Sequence, residues 1–302
     1  MPANQAHDSV QYQLEQEAVI VILTADEAIS DIHLYRETLE LLVEAETALR
    51  IVRDIVWVEL SVEQIEELLE NMEDSDYDLV VSIQILFDDE DDEDADSENL
   101  YFVIADVNFA VGDNVIQGFD NSFTLYVDLS DFNLQGLNRH RVTAIHDGRN
   151  IGGSLNPVTG IFTIEITATG EFTIAYVETL RRITMQLESP TIFDLAGNAE
   201  TQHMDVLPVL VSGRTLLPVR FIGYALGAEV DWTPATDHSP MLVHLDLDGH
   251  TLTFGIGEMA QGMDVPAQVV ESRTMVPLRF ISEFFGATVL WDGETRSIEI
   301  VR

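Results

Sequence analysis

The sequence predicts an α+β, mostly-β protein: a β-rich N-terminal domain, then a small domain of antiparallel sheet plus helix with an internal duplication. Three observations carry this expectation. Between residues 100 and 187 the apolar residues run with period two, and turn residues recur at short spacing. Ahead of them a strand-then-helix pattern occurs twice. Behind them, residues 204–232 recur 59 places later as residues 263–291.

Taken in order, Met1–Gln16 is polar and reads as an N-terminal tail over residues 1–17. It lacks a basic stretch followed by an apolar one, so no signal peptide is expected in it. The β-rich acidic domain then spans residues 18–187. Its first part holds two strand-plus-helix units within residues 18–87. In one, Ile32-His-Leu34 leads into Leu39, Leu42 and Val43; in the other, Ile55-Val-Trp-Val-Glu-Leu60 leads into Ile65, Leu68, Leu69 and Met72. The second set falls at i, i+3, i+4 and i+7, one face of a helix. Ser61-Val-Glu-Gln64 ahead of it has the form of a capping box. Leu34, Leu39 and Leu42 correspond to Leu60, Ile65 and Leu68, about one unit of 26 residues apart.

Strands are expected next at Phe102–Phe109, Ser122–Leu129, Val142–His146, Ile161–Thr167 and Glu171–Val177. Turn signals sit at Gly112-Asp113, Asp147-Gly148, Asn156-Pro157 and Thr169-Gly170. The short spacing suggests an antiparallel sandwich. Residues 188–203 read as a linker, and residues 204–302 as the duplicated domain.

Composition excludes much chemistry. Of 302 residues, 54 are acidic and 14 cationic, a formal net charge of −40, and every cation is arginine. With no lysine and no cysteine, a Schiff-base or P-loop lysine, a thiol nucleophile, a disulfide and a thiolate-bound metal are all excluded. A surface this acidic repels phosphate backbones, so no nucleic-acid partner is expected. No apolar run approaches the ~18 residues of a membrane span, so no membrane insertion is expected either. The charge is concentrated at the front: residues 1–100 hold 29 acids and 3 arginines, residues 201–302 only 13 and 6. Its densest run, Asp88–Asp94, reads as a solvated loop. Calcium loops space their ligands and turn on glycine, which this run does not do, so calcium there is expected to be weak and non-specific.

The duplication aligns Met204–Trp232 with Met263–Trp291, nearly half of the positions being identical. Arg214, Thr215, Pro218, Arg220, Phe221, Gly227 and Trp232 in the first copy match Arg273, Thr274, Pro277, Arg279, Phe280, Gly286 and Trp291 in the second. Each proline suits the first helical turn and each glycine the left-handed position after the helix. Each copy is thus strand, short helix, strand. Asp248-Gly249 between two apolar runs signals a hairpin linking the copies.

The motif pair GRTLLPVRFIGYALGAEVDW and SRTMVPLRFISEFFGATVLW, with the hairpin between and a closing TRSIEI strand, resembles the copper amine oxidase N-terminal-like stalk domain. The resemblance covers residues 204–302. It implies a small α+β unit that holds neither copper nor the quinone cofactor, on secreted or cell-surface bacterial proteins. Residues 18–187 resemble, more loosely, the acidic ectodomains that accompany such modules.

Catalytic signatures are sparse. Gly-x-Ser-x-Gly and His-Glu-x-x-His are absent, and Gly255-Ile-Gly257 lacks a third glycine at dinucleotide-loop spacing. A quinone precursor would need a tyrosine in an Asn-Tyr-Asp/Glu context, and Tyr77 lies instead in Ser-Asp-Tyr-Asp. The eight histidines are scattered; His238, His244 and His250 could form a tripod only if the fold gathers them. The repeated arginines suit carboxylate or phosphate recognition. Internal ion pairing, with the aliphatic stems covering the sheet, is the preferred reading of them. Trp232 and Trp291 read as core or rim residues, with a sugar platform as the other reading. The expectation is a non-enzymatic secreted or cell-surface module without cofactors, partnered by cell-wall glycan or another surface protein. A carboxylate-based hydrolase with an appended stalk domain and an acidic nucleic-acid mimic are the alternatives.

Overall fold

The computed structural model describes residues 1–25, 31–72, 77–86, 99–196 and 202–302. The acidic run Asp88–Asp94, and with it the weak-calcium expectation, lies outside the described residues. The chain divides into two compact units: residues 1–147 with 152–177, and residues 148–151 with 178–302.

The first unit opens with α1 (Ala3–Glu15), β1 (Ile20–Ala25), β2 (Asp31–Leu34) and α2 (Arg36–Glu44). β3 (Ala48–Arg53), β4 (Val56–Leu60) and α3 (Val62–Asn71) follow, then β5 (Leu79–Leu86), β6 (Asn99–Val111), β7 (Asn114–Ile116) and β8 (Gly118–Asp128). The remainder is β9 (Val142–His146), β11 (Ser154–Leu155), β12 (Ile161–Ala168) and β13 (Gly170–Val177), while β10 (Arg149–Gly152) falls, all but its last residue, in the second unit. Two sheets form, in the orders β1-β3-β4-β8-β12-β11 and β9-β13-β6-β5-β2, with β7 on β6. Nearly every pairing is antiparallel, β1 with β3 being the parallel exception. Alternation places Phe109, Phe123, Phe162 and Phe172 fully inside, with Phe109, Phe119 and Phe123 meeting edge to face at centroid distances of 5.1–5.3 Å.

Both strand-plus-helix units form as expected, and α2 packs on α3. Their strands go to different sheets, β2 beside β5 and β4 between β3 and β8. Gln64 completes its half of the capping box, accepting from the Ser61 amide at 2.5 Å, and its Nε2 donates to the Ser122 carbonyl at 2.7 Å. The N-terminus departs from the expected tail. Residues 3–15 are helical because Ala3, Ala6 and Val10 make a narrow stripe of small side chains, all buried, that the polar composition masks. Gln13 then brackets Ile22 on edge strand β1, donating to its carbonyl and accepting from its amide, each at 2.8 Å.

The second unit contains β14 (Arg182–Gln186), β15 (Thr191–Asp194), β16 (Gln202–His203), β17 (Val209–Val211), β18 (Arg214–Pro218), α4 (Val219–Leu226), β19 (Glu229–Thr233), β20 (Leu242–Leu247) and β21 (His250–Gly255). The second copy adds β22 (Gln268–Val270), β23 (Arg273–Pro277), α5 (Leu278–Phe284), β24 (Thr288–Asp292) and β25 (Ser297–Val301). The copies meet through β18 and β23, where Leu217 lies opposite Val276, with Leu216 against Pro277 and Pro218 against Met275. Leu217 and Val276 are themselves repeat equivalents, so a local two-fold axis passes through this pair. The four-stranded sheet β17-β18-β23-β22 is symmetric about it. One face, with Leu217 and Val276, joins the main core; the other buries Val206, Leu216, Val265 and Met275, again two equivalent pairs.

The expected boundaries at 187/188 and 203/204 are corrected. Residues 188–203 are no simple linker, because β15 and β16 belong to the sheet β16-β15-β14-β25-β24. The first copy ends in β19-β20-β21, but in the second β25 takes as its outer neighbour β14, which precedes both copies. Glu229 opposite Asp246 and Thr288 opposite Val301 make Asp246 and Val301 equivalent. Their next partners, Thr251 and Arg182, are then equivalent too. Leu252 and Phe254 accordingly match Ile183 and Met185, all four buried in the main core. β14 is thus the missing first strand of a repeat that opens with β14 or β21 and closes with β20 or β25. Reciprocal backbone hydrogen bonds between Arg181 and Arg302, at 2.8 and 3.0 Å, tie the chain end to it.

Within each copy the prolines sit one position earlier than expected. Pro218 and Pro277 are the N-cap residues of α4 and α5, with extended ψ of 127° and 114°, so the strand runs directly into the helix. Gly227 ends α4 at φ 81°, a conformation that glycine adopts without the Cβ penalty. Arg181 covers the carbonyls left there, donating to Tyr224 at 2.8 Å and Ala225 at 3.2 Å.

Two outcomes are expected from this topology. A polypeptide of residues 178–302 should melt cooperatively, whereas residues 204–302, lacking β14, should not; equal melting temperatures by circular dichroism would refute the equivalence of β14 and β21. Leu217→Ala, at a fully buried position on the axis, should cost about 2–5 kcal/mol in denaturant unfolding.

Candidate functional site: twin grooves between the repeats

Two concave sites lie in the second unit, of about 760 and 570 Å³. The larger is lined by Arg214 and Thr215 of the first copy and by Pro277, Arg279, Phe280 and Trp291 of the second. The smaller reverses the roles, taking Arg273 and Thr274 from the second copy and Pro218, Arg220, Phe221 and Trp232 from the first. The grooves are therefore images of one another under the local two-fold. Of the fourteen motif residues, all but Gly227 and Gly286 line one of them.

This arrangement follows from local structure. Arg-Thr opens the strand at the axis, and antiparallel pairing carries it beside the other copy's strand end. Pro-x-Arg-Phe turns the chain from that strand end into the first turn of the helix. The phenylalanine packs partly on the core while the arginine faces outward. The glycine then reverses the chain into the strand that carries the tryptophan.

The ion pairs cross between copies. Arg214 Nε donates to Asp264 Oδ2 at 2.6 Å, and Arg273 Nε to Asp205 Oδ2 at 2.7 Å. Asp205 and Asp264 are repeat equivalents, so each copy's arginine holds the other copy's aspartate. The Arg273 hydrogen bond keeps the Asp205 carboxyl below the usual carboxylate range, and the Arg220 charge adds to this. Arg273 is raised in turn by the same hydrogen bond. Internal pairing of the arginines is thus present, but it frames the grooves.

The twins differ inside. In the smaller groove the Arg220 guanidinium lies over the Trp232 ring, 5.2 Å from its centroid, and Trp232 packs partly against the core. In the larger, Arg279 Nη1 donates along the helix to Glu283 Oε1 at 3.3 Å, and Trp291 is 48% exposed. Phe284, 47% exposed, and Leu210, 64% exposed, extend the apolar lining there, and Arg296 joins the rim.

Elsewhere the sequence candidates do not assemble. His244 is held between two threonine hydroxyls, its Nε2 2.8 Å from Thr233 Oγ1 and its Nδ1 2.9 Å from Thr253 Oγ1. His250 starts the strand after the Asp248-Gly249 turn. Among the described residues, no three histidine or carboxylate side chains gather as a metal site requires. Asp128, Asp205 and Asp292 are displaced downward, chiefly by hydrogen bonds from Ser130, Arg273 and Thr295, a direction that weakens a general acid. Sequence reading missed the aspartates and Glu283 as groove residues; the shared Met-Asp-Val at 204–206 and 263–265 was the available signal for the former.

Among known families, the copper amine oxidase N-terminal domain matches the chain twice, over residues 165–241 and 197–300. The chain carries a copper amine oxidase N-terminal-like domain. The ends of the two matches, 241 and 300, differ by 59 residues, the repeat shift, and the first match includes β14. In the copper amine oxidase family this domain is a non-catalytic module. No curated protein and no solved structure matches the chain. Among the described residues, no helix is long and apolar enough to cross a membrane.

The crossed pairs give the domain an acid-sensitive element. Because the folded-state Asp205 carboxyl is depressed, its contribution is present above the unfolded carboxyl pKa of about 3.9 and is lost as pH falls through the lower folded value. The melting temperature of Asp205→Asn should therefore lie slightly below wild type near neutral pH and converge with it only under strongly acidic conditions. A gap that stays constant down to the lowest pH would refute the assignment.

Proposed function

We propose that this protein is a non-catalytic binding module of the cell surface or the secreted fraction, and that its stalk domain takes a neutral, hydroxyl-rich glycan strand into the larger groove. The observation that carries the reading is the half-exposed ring of Trp291, set beside two guanidinium–carboxylate pairs, Arg214–Asp264 and Arg279–Glu283. An aromatic face offers the C–H face of a sugar ring an apolar platform. Paired guanidinium and carboxylate groups present donors and acceptors at fixed spacing to neighbouring hydroxyls.

Charge argues for a neutral occupant. Three arginines and two carboxylates line the groove, so its local charges nearly cancel within a chain of net charge −40. An anionic polymer would meet the field of the whole chain, whereas a neutral glycan does not. The cavity, about 760 Å³, falls within the size range of small-molecule sites. Cell-wall glycan is the partner of this chemistry that suits a surface protein.

The full chain should co-sediment with insoluble peptidoglycan. Trp291→Ala should weaken that binding by about tenfold or more, as removal of an aromatic anchor does. Binding should be nearly unchanged between low and moderate salt, and no reducing ends should be released on incubation. Binding that collapses with salt would point to a cationic ligand drawn by the acidity of the chain, and steady release of reducing ends would establish the hydrolase alternative.

A further inference from the structure

The twin grooves share their motif, and among the positions at which their helices differ is the one four residues after the groove arginine, Tyr224 in α4 and its repeat equivalent Glu283 in α5. Each lies four residues after its groove's arginine, so the two side chains meet on one helix face. Where the partner is Glu283, Arg279 is drawn along the helix axis and the Trp291 ring is 48% exposed. Where it is Tyr224, no carboxylate stands at that place, and Arg220 lies across the Trp232 ring at 5.2 Å. An exposed ion pair and an exposed cation–π contact are of similar, small strength, so a single side chain can decide between them.

We infer that this position is the specificity-determining gate of the domain: glutamate opens the groove by retaining the arginine, and tyrosine leaves the arginine to occupy its own groove's aromatic platform. The duplicated domain thus carries one open site and one self-occupied site. The guanidinium over Trp232 takes the place a ligand ring would take, and its charge reaches Asp205 on the other wall of the same groove. The smaller volume of that groove, about 570 against 760 Å³, agrees with a side chain folded into it.

The gate itself is tested without ligand, and the ligand consequence rests on the glycan reading above. In the full chain, acrylamide quenching of tryptophan fluorescence is compared for wild type, Tyr224→Glu, Glu283→Tyr and Arg220→Ala, with Trp232→Phe and Trp291→Phe backgrounds assigning the signals. Tyr224→Glu should raise the accessibility of Trp232 toward that of Trp291, and Glu283→Tyr should lower that of Trp291. Arg220→Ala, a change at an exposed position that leaves the core untouched, should expose Trp232 as Tyr224→Glu does. Quenching that is unchanged in Tyr224→Glu and Glu283→Tyr would overturn the gate. Titration calorimetry with a soluble N-acetylglucosamine oligomer then reads the consequence: Tyr224→Glu should add a second site, and Glu283→Tyr should abolish the first. If quenching shifts as expected while wild type binds no oligomer, the gate stands and the glycan reading falls.

Discussion

The second unit depends on one contact, the antiparallel meeting of β18 and β23 with Leu217 opposite its own repeat equivalent Val276. Antiparallel pairing of two copies of one strand about such a pair imposes a two-fold relation on everything attached to them. It carries each copy's Arg-Thr to the helix start of the other, produces two grooves instead of one, and makes the aspartate–arginine pairs cross. It also requires each copy to have a full complement of strands. That requirement is why β14 must come from ahead of both copies and why the domain begins near residue 178.

Symmetry makes small differences informative. Equivalent backbones place residues 59 apart in matching surroundings, so a change at one such position acts against an internal reference. Ala225 is buried on α4 whereas its equivalent Phe284 is 47% exposed at the larger groove, and Tyr224 is replaced by Glu283. The two exchanges are adjacent in sequence, and one of them puts a half-exposed phenylalanine where the first copy has a buried core alanine. Duplication has kept the motif residues that line both grooves, while buried equivalents such as Leu216 and Met275 or Leu226 and Phe285 exchange one apolar side chain for another of similar size.

The first unit shows a related economy. Two strand-plus-helix units place their helices together and send their strands to separate sheets, with a phenylalanine cluster filling the unit. Its acidity stays at the surface because the alternating strands bury one face alone. The helix at its start is held by three small side chains and by Gln13, which satisfies backbone groups of the edge strand β1. Such a cap limits further strand addition at that edge.

Sequence alone determined whatever is encoded at short range. The Ser61–Gln64 cap, the Asp248-Gly249 hairpin, the alternating strands and the repeated Arg-Thr, Pro-x-Arg-Phe and Gly-Ala motifs are local patterns whose geometry follows from a few neighbouring residues. The family likeness was legible for the same reason. The helix over residues 3–15 was hidden because its apolar stripe is made of residues too small to stand out. Only the tertiary structure decided that β14 completes the second copy, since its partner β25 lies more than a hundred residues away and no periodicity announces that pairing. The grooves likewise needed the fold, because each draws its two walls from different copies. Whether an arginine lies on a tryptophan or along a helix depends on a balance between two weak contacts, and only their placement in space decides it.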